Sequence, residues 1–252
     1  MKKARIGVCD VEIYDSIEEL PVSRWHKYQK YCLIDGGIGS DLSSIDTHIA
    51  RVGEFIRQKA FDKADTELQN LRQNIFFVQN DVNLRLLSYA CLIKSIDGEE
   101  CNDITDEGLQ RVIDRLADVP TNTITAIFMV VKKKIEQEVQ AYFPSLLITS
   151  GEKEFANLVR AHTLEVLKDI QGCGDKRKIE ELHAKIVTNA KPIQFTGENN
   201  YEIDFDKQFE RLSIVLAQQM HIDSKKCSVM EFYNAYEVIK EQSKAKQNGR
   251  HK

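Results

Sequence analysis

The chain has 252 residues, 42% of them hydrophobic and 29% charged, with only 12 Gly and 4 Pro and a formal net charge of -4. So few turn-forming residues argue against a strand-rich sandwich or barrel. The acidic balance argues against duplex DNA as the main partner, because phosphate binding depends on clustered Lys and Arg. What remains is a mostly α fold, a multi-helix bundle whose helices carry one buried and one solvated face.

At the amino terminus Ile6, Val8, Val11 and Ile13 alternate loosely between Arg5 and Tyr14, which fits a short β-hairpin or one edge strand. Pro21 then suits the first turn of a helix carrying Trp25, Tyr28 and Cys32 at helical spacing. The cluster Gly36-Gly37-Ile38-Gly39-Ser40-Asp41 breaks that helix. It lacks the Lys-Ser/Thr ending of a phosphate-cradling loop, so it reads as a turn in which Ser40 or Asp41 caps the next helix.

The strongest periodicity follows. Leu42, Ile45, Ile49, Val52 and Ile56, then Ala64, Leu68, Leu71, Ile75 and Val78, recur at alternating steps of three and four. The spacing predicts two amphipathic helices joined near Ala60, an antiparallel hairpin whose two apolar stripes close over a shared core. Asn83 to Ile96 is apolar nearly all round and reads as a buried helix ended by Asp97-Gly98. Thr105 caps a helix with Asp106 and Glu107 in its first turn and Leu109, Val112, Ile113 and Leu116 inside.

A longer helix from about Thr123 to Phe143 turns Ile124, Phe128, Val131, Ile135 and Tyr142 inward and stops at Pro144. The next carries Phe155, Val159, Val166 and Ile170 before Gly172, and Asp175 caps another with Ile179, Leu182 and Ile186. After a polar loop at Gly197 to Asn200, a stripe of Phe205, Phe209, Leu212, Leu216 and Met220 marks a further helix. Ser228 and Glu231 form a capping box ahead of Val229, Phe232, Tyr236 and Ile239. The count is roughly eight or nine helices. A weak seam at Thr149 to Gly151 divides residues 1–150, which hold the hairpin, from 151–244, as two helical regions or one continuous domain. Residues 245–252 read as a disordered basic tail.

Chemistry is hard to find. Cys9, Cys32, Cys91, Cys101, Cys173 and Cys227 show no metal-ligand spacing and read as reduced thiols. Glu180 and His183 have the E-x-x-H spacing of carboxylate-bridged metal bundles, but no other histidine follows a glutamate at that spacing. No catalytic, cofactor or metal site is assigned, and the chain is expected not to be an enzyme. Lys132-Lys133-Lys134 and the tail cations Lys240, Lys244, Lys246, Arg250 and Lys252 read as solvated, with contact to nucleic acid secondary. The start, MKKARIGVCD, holds no apolar stretch of signal-peptide length, and no run approaches the roughly 20 residues of a membrane span, so folding in a cytoplasm without membrane contact is expected.

Several stretches together resemble one family. They are Leu20-Pro21 with Arg24 and Tyr28, Ile34-Asp35 with Gly37-Ile38-Gly39-Ser40-Asp41, and Glu67-Leu68 with Asn70-Leu71-Arg72-Gln73-Asn74. To these add Tyr142-Phe143-Pro144, Lys191-Pro192 with Phe195, and Met230-Glu231-Phe232-Tyr233. The pattern resembles a small structural protein of crAss-like phages, the podovirus-like phages of gut Bacteroides. The resemblance implies a virion protein near the portal vertex, a head-to-tail connector or tail ring subunit. It implies portal and neighbouring ring or tail proteins as partners, and a homo-oligomeric ring of roughly twelve copies. A soluble assembly chaperone or a virion cargo protein is the alternative. The candidate contact residues are Trp25 and Tyr28 near the N-terminus, Ile49 and Leu71 in the hairpin, and Phe232 and Tyr236 in the last helix.

Overall fold

A computed structural model describes residues 1–144, 150–190, 192–197, 200–221 and 223–249. The chain begins with strands β1 (Lys2–Ile6) and β2 (Cys9–Ile13), followed by helices α1 (Val22–Gly37), α2 (Leu42–Arg57), α3 (Phe61–Gln79) and α4 (Leu84–Cys91). Strands β3 (Ile93–Ile96) and β4 (Glu99–Glu100) come next, then α5 (Asp106–Asp114) and α6 (Thr121–Tyr142). Further helices follow: α7 (Ser150–Ile170), α8 (Lys176–Asn189), α9 (Tyr201–Met220) and α10 (Val229–Gly249). The fold is mostly α with a small antiparallel sheet at its N-terminal end, in the order β1-β2-β3-β4.

The N-terminal alternation is a true hairpin, with Ile6 paired to Cys9 and Lys2 to Ile13. Ile6, Val11 and Ile13 point into the core, while Lys3 and Glu12 face solvent and pair with each other at 3.0 Å. β2 is not an edge: it also pairs with β3, Val11 opposite Ile96. That second pairing corrects the expectation of one helix over Asn83 to Ile96, because the helix ends at Cys91 and the chain continues as strand. The reason is local. Asp97 (φ 53°) and Gly98 (φ 82°) form a two-residue turn with both central residues left-handed, the turn that matches the twist of an antiparallel pair. The apolar run before it then serves as well in a strand as in a buried helix.

The helix-to-strand junction leaves carbonyls that no helix or sheet satisfies. Arg24 on α1 supplies the donors: its buried guanidinium donates to the carbonyls of Cys91 at 3.2 Å and Ile93 at 2.9 Å, and to that of Cys101. Leaving such groups unpaired would cost about 1–3 kcal/mol each. Next to it Cys91 is fully buried, and burial pushes its thiol up to about 12.

One apolar core runs from Ile6 to Val229. Trp25 stacks on Tyr28 at 5.1 Å, and Tyr89 of α4 stacks on Phe128 of α6 at 5.0 Å. Ile124, Val131, Ile135 and Val139 complete the inner face of α6. Tyr142, expected inside, is exposed; the chain leaves the helix at Phe143, whose ring takes the interior position against Tyr233 at 5.4 Å.

The last helix locks onto the first. Val22 N–H donates to the Cys227 carbonyl at 3.0 Å, and the amides of Val229 and Met230 donate to the carbonyls of Leu20 and Ile17 at 2.9 and 3.0 Å. The capping box forms as read: Ser228 N–H to Glu231 at 2.8 Å and Glu231 N–H to Ser228 Oγ at 3.2 Å. A second, smaller apolar cluster joins Leu216, Phe232 and Ala235 to Val22 of α1. α10 continues to Gly249, so the tail expected to be disordered from Ala245 is helical that far. Thr149, Lys191 and the tail residues 250–252 lie outside the described residues.

Candidate interaction face

The α2–α3 hairpin is where sequence pattern and burial part company. Its start is well specified. Gly39 takes a left-handed φ of 73°, in a place where a Cβ would strike Ser44, and Asp41 caps α2 by accepting the Ser44 amide at 2.9 Å. The helices also lie where the periodicity puts them. Their apolar stripes, however, do not form the shared core expected of them.

Exposure is 70% at Leu42, 55% at Ile49, 51% at Ile56, 64% at Phe61 and 41% at Leu68. The positions fully buried are instead His48 and Phe55 on α2, and Ala64, Glu67, Asn70 and Asn74 on α3. Ile45, Val52, Leu71, Ile75 and Val78 are half-buried between the two sets. The polar residues turn inward because the irregular segments beside the hairpin hold buried carbonyls that need donors. His48 Nε2 meets the Ile38 carbonyl at 2.6 Å, Asn74 donates to the same carbonyl at 3.1 Å, and Asn70 donates to that of Ile193 at 2.9 Å.

His48 Nδ1 lies 2.9 Å from Glu67, and Arg51 reaches the same carboxylate oxygen at 3.3 Å. With Glu67 ionised, both His48 nitrogens face pure acceptors, an arrangement satisfied by the doubly protonated ring. Burial works against that charge. The Glu67 carboxylate and the Ile38 carbonyl outweigh it, and the His48 pKa is raised above 6.5. Sequence reasoning missed this group, though a signal was present: Glu67, Asn70 and Asn74 recur at steps of three and four, a polar stripe beside the apolar one.

The remaining candidate contact residues separate by burial. Trp25, Tyr28 and Phe232 are interior residues of this chain's own core, so they offer no free surface, which corrects the expectation placed on them. Their aromatic bulk at helical spacing fits core packing as well as contact. Tyr236 and Leu71 are half-buried, and of the six only Ile49 is exposed over more than half of its surface.

Other features carry less. Lys134 pairs with Asp15 at 2.7 Å and Lys132 with Glu136 at 3.7 Å, so two cations of the basic triplet are neutralised. Glu180 and His183 are both exposed on α8, and among the described residues no group of three or more His, Cys, Asp or Glu could hold a metal ion. A depression of about 810 Å³ lies over the solvent face of the sheet, between Lys3, Arg5, Glu12, Lys94 and Glu100, with charges of both signs. No described helix is long and apolar enough to cross a membrane. No family model, curated protein or solved structure matches the chain.

Proposed function

We propose that this protein is a non-enzymatic subunit of a larger protein assembly and, following the resemblance to crAss-like phage structural proteins, a connector or tail ring subunit at the portal vertex of a virion. The observation that carries the reading is the amount and arrangement of uncovered apolar surface. Besides the hairpin stripe, Met129 and Val130 on α6, Leu164, Leu167 and Ile170 on α7, and Ile203, Ile214 and Val215 on α9 stand exposed. Scattered exposed apolar residues are ordinary, but stripes along several helices favour contact with other chains.

The test is the mass of the purified chain by light scattering, alone and with the phage portal protein. A discrete ring, or a complex that forms only with portal, supports the connector role. A chain indifferent to portal and missing from purified particles by mass spectrometry overturns it, and leaves the assembly chaperone as the reading to pursue.

A further inference from the structure

We infer that the apolar face of the α2–α3 hairpin is a self-association surface, and that two copies of this chain pair face to face through it as a four-helix bundle. The inference rests on the hairpin alone and holds whether or not the protein belongs to a virion.

The heptad arithmetic comes first. Leu42, Ile45, Ile49, Val52 and Ile56 step by three and four, as do Phe61, Ala64, Leu68, Leu71, Ile75 and Val78. This is the seam pattern of coiled coils and bundles, in which each helix contributes two columns of side chains. In the monomer only one column of each helix turns toward the hairpin. Leu42, Ile49 and Ile56 on α2, with Phe61 and Leu68 on α3, are left in solvent. At 100° per residue these two outer columns are rotated to the same side of their buried neighbours: Ile49 from His48, Leu68 from Glu67. Because the helices run antiparallel, equal rotation puts both columns on one face of the hairpin.

That geometry selects the occupant. Because both columns lie on one contiguous face, that face can meet the same face of a second copy across a two-fold axis lying in the interface, the arrangement of an isologous dimer. Charge allows it. From Leu42 to Gln79 the hairpin has Asp46, Glu54, Asp62, Asp65 and Glu67 against Arg51, Arg57, Lys59, Lys63 and Arg72, which leaves only the His48 proton uncompensated in a chain of net charge -4. Area allows it too. The exposed and half-exposed apolar side chains of the face present on the order of 700 Å², close to the roughly 800 Å² that each partner contributes to a stable interface of standard size. The polar interior then has a role. Held by His48, Glu67 and the two asparagines, the hairpin keeps its shape without burying the stripe, which stays free for the second copy.

The experiment is sedimentation equilibrium of the full chain without any partner protein, on wild type and on Ile49→Lys/Leu68→Lys, with Val8→Lys as a control at an exposed residue on the sheet turn. Wild type and control should weigh twice the 28.9 kDa monomer and dissociate on dilution. The hairpin variant should stay monomeric at concentrations at least tenfold higher, with unchanged helical circular dichroism. If the double lysine variant loses helicity, Ile49→Ser/Leu68→Ser is measured in its place, and a weakened dimer is again required. A monomeric wild type overturns the inference, as does a dimer that neither substitution weakens. A face that instead binds only another virion chain would leave the proposed function standing and sink this inference.

Discussion

Around Phe128 the interior is apolar: Tyr89 stacks on the ring at 5.0 Å, and Ile124, Val131 and Ile135 are buried on the same helix face. In the α2–α3 hairpin the buried positions include His48, Glu67, Asn70 and Asn74, while Leu42, Ile49, Ile56 and Phe61 lie in solvent. Both regions are built from helices with apolar residues at the same three-four steps. In the first, packing against other helices and the sheet decides which side turns in. In the second, backbone carbonyls at Ile38 and Ile193 need donors, and satisfying them outweighs burying leucine and isoleucine. An amphipathic pattern therefore locates a helix more securely than it says what covers its apolar side.

The contrast is sharpest at its extremes. Phe128→Ala removes a fully buried ring from the apolar core and should cost about 4 kcal/mol of unfolding free energy, read from a urea titration. A cost under about 1 kcal/mol would mean that α6 does not pack as described. Next in size is Glu67→Leu, which strands His48 and leaves Arg51 without its carboxylate. It should cost about 3 kcal/mol at mildly acidic pH, where wild-type His48 is charged and the variant must bury that charge unpaired or give it up, and His48→Leu/Glu67→Leu should recover most of that. If the double variant were as unstable as the single, the polar interior would be needed for more than its charge balance.

Two histidines carry the comparison into pH. His48 has its pKa raised, so its contribution is fully present below 6.5 and is lost as pH rises through the folded-state value. His26 on α1 is sandwiched between Phe205 and Phe209 of α9, at 4.6 and 4.0 Å. Burial there outweighs the Asp206 carboxylate at 2.8 Å and lowers its pKa below 6.5. Its contribution is present above 6.5 and is lost as pH falls through the folded-state value. Amide hydrogen exchange, corrected for the intrinsic pH dependence of the rate, should show α2 losing protection on the alkaline side and α9 on the acid side. The same direction in both helices would contradict these environments.

Much of the fold was legible because its signals are local. Asp41, Thr105 and Asp175 cap the helices read from them, and the box at Ser228 and Glu231 closes as the spacing requires. Asp97-Gly98 is legible too, but by sequence it fits a helix stop as well as the hairpin turn it forms, because the apolar run before it suits either element. What the sequence could not separate was core from surface among residues of one type. Trp25, Tyr28 and Phe232 looked like contact residues and are interior, and only packing between elements distant in the chain decides that. The spacing of the hairpin stripe fits a core for the same reason. The polar residues that displace it find their partners at Ile38 and Ile193, one of them more than a hundred residues away.

The smallest expected effect probes the other end of the comparison. Ile49 is more than half exposed, so Ile49→Ser removes little buried area from the single chain, and isoleucine and serine have similar helix propensities. At concentrations where the chain is monomeric, its unfolding free energy should stay within about 0.5 kcal/mol of wild type. The gap should then widen as concentration rises, because an association that buries Ile49 stabilises only the chain that retains it. A constant gap near zero would leave Ile49 an ordinary exposed residue. A large gap already present in the dilute chain would mean that the stripe packs against this chain's own helices after all, which would return the hairpin to the apolar core first read from its spacing.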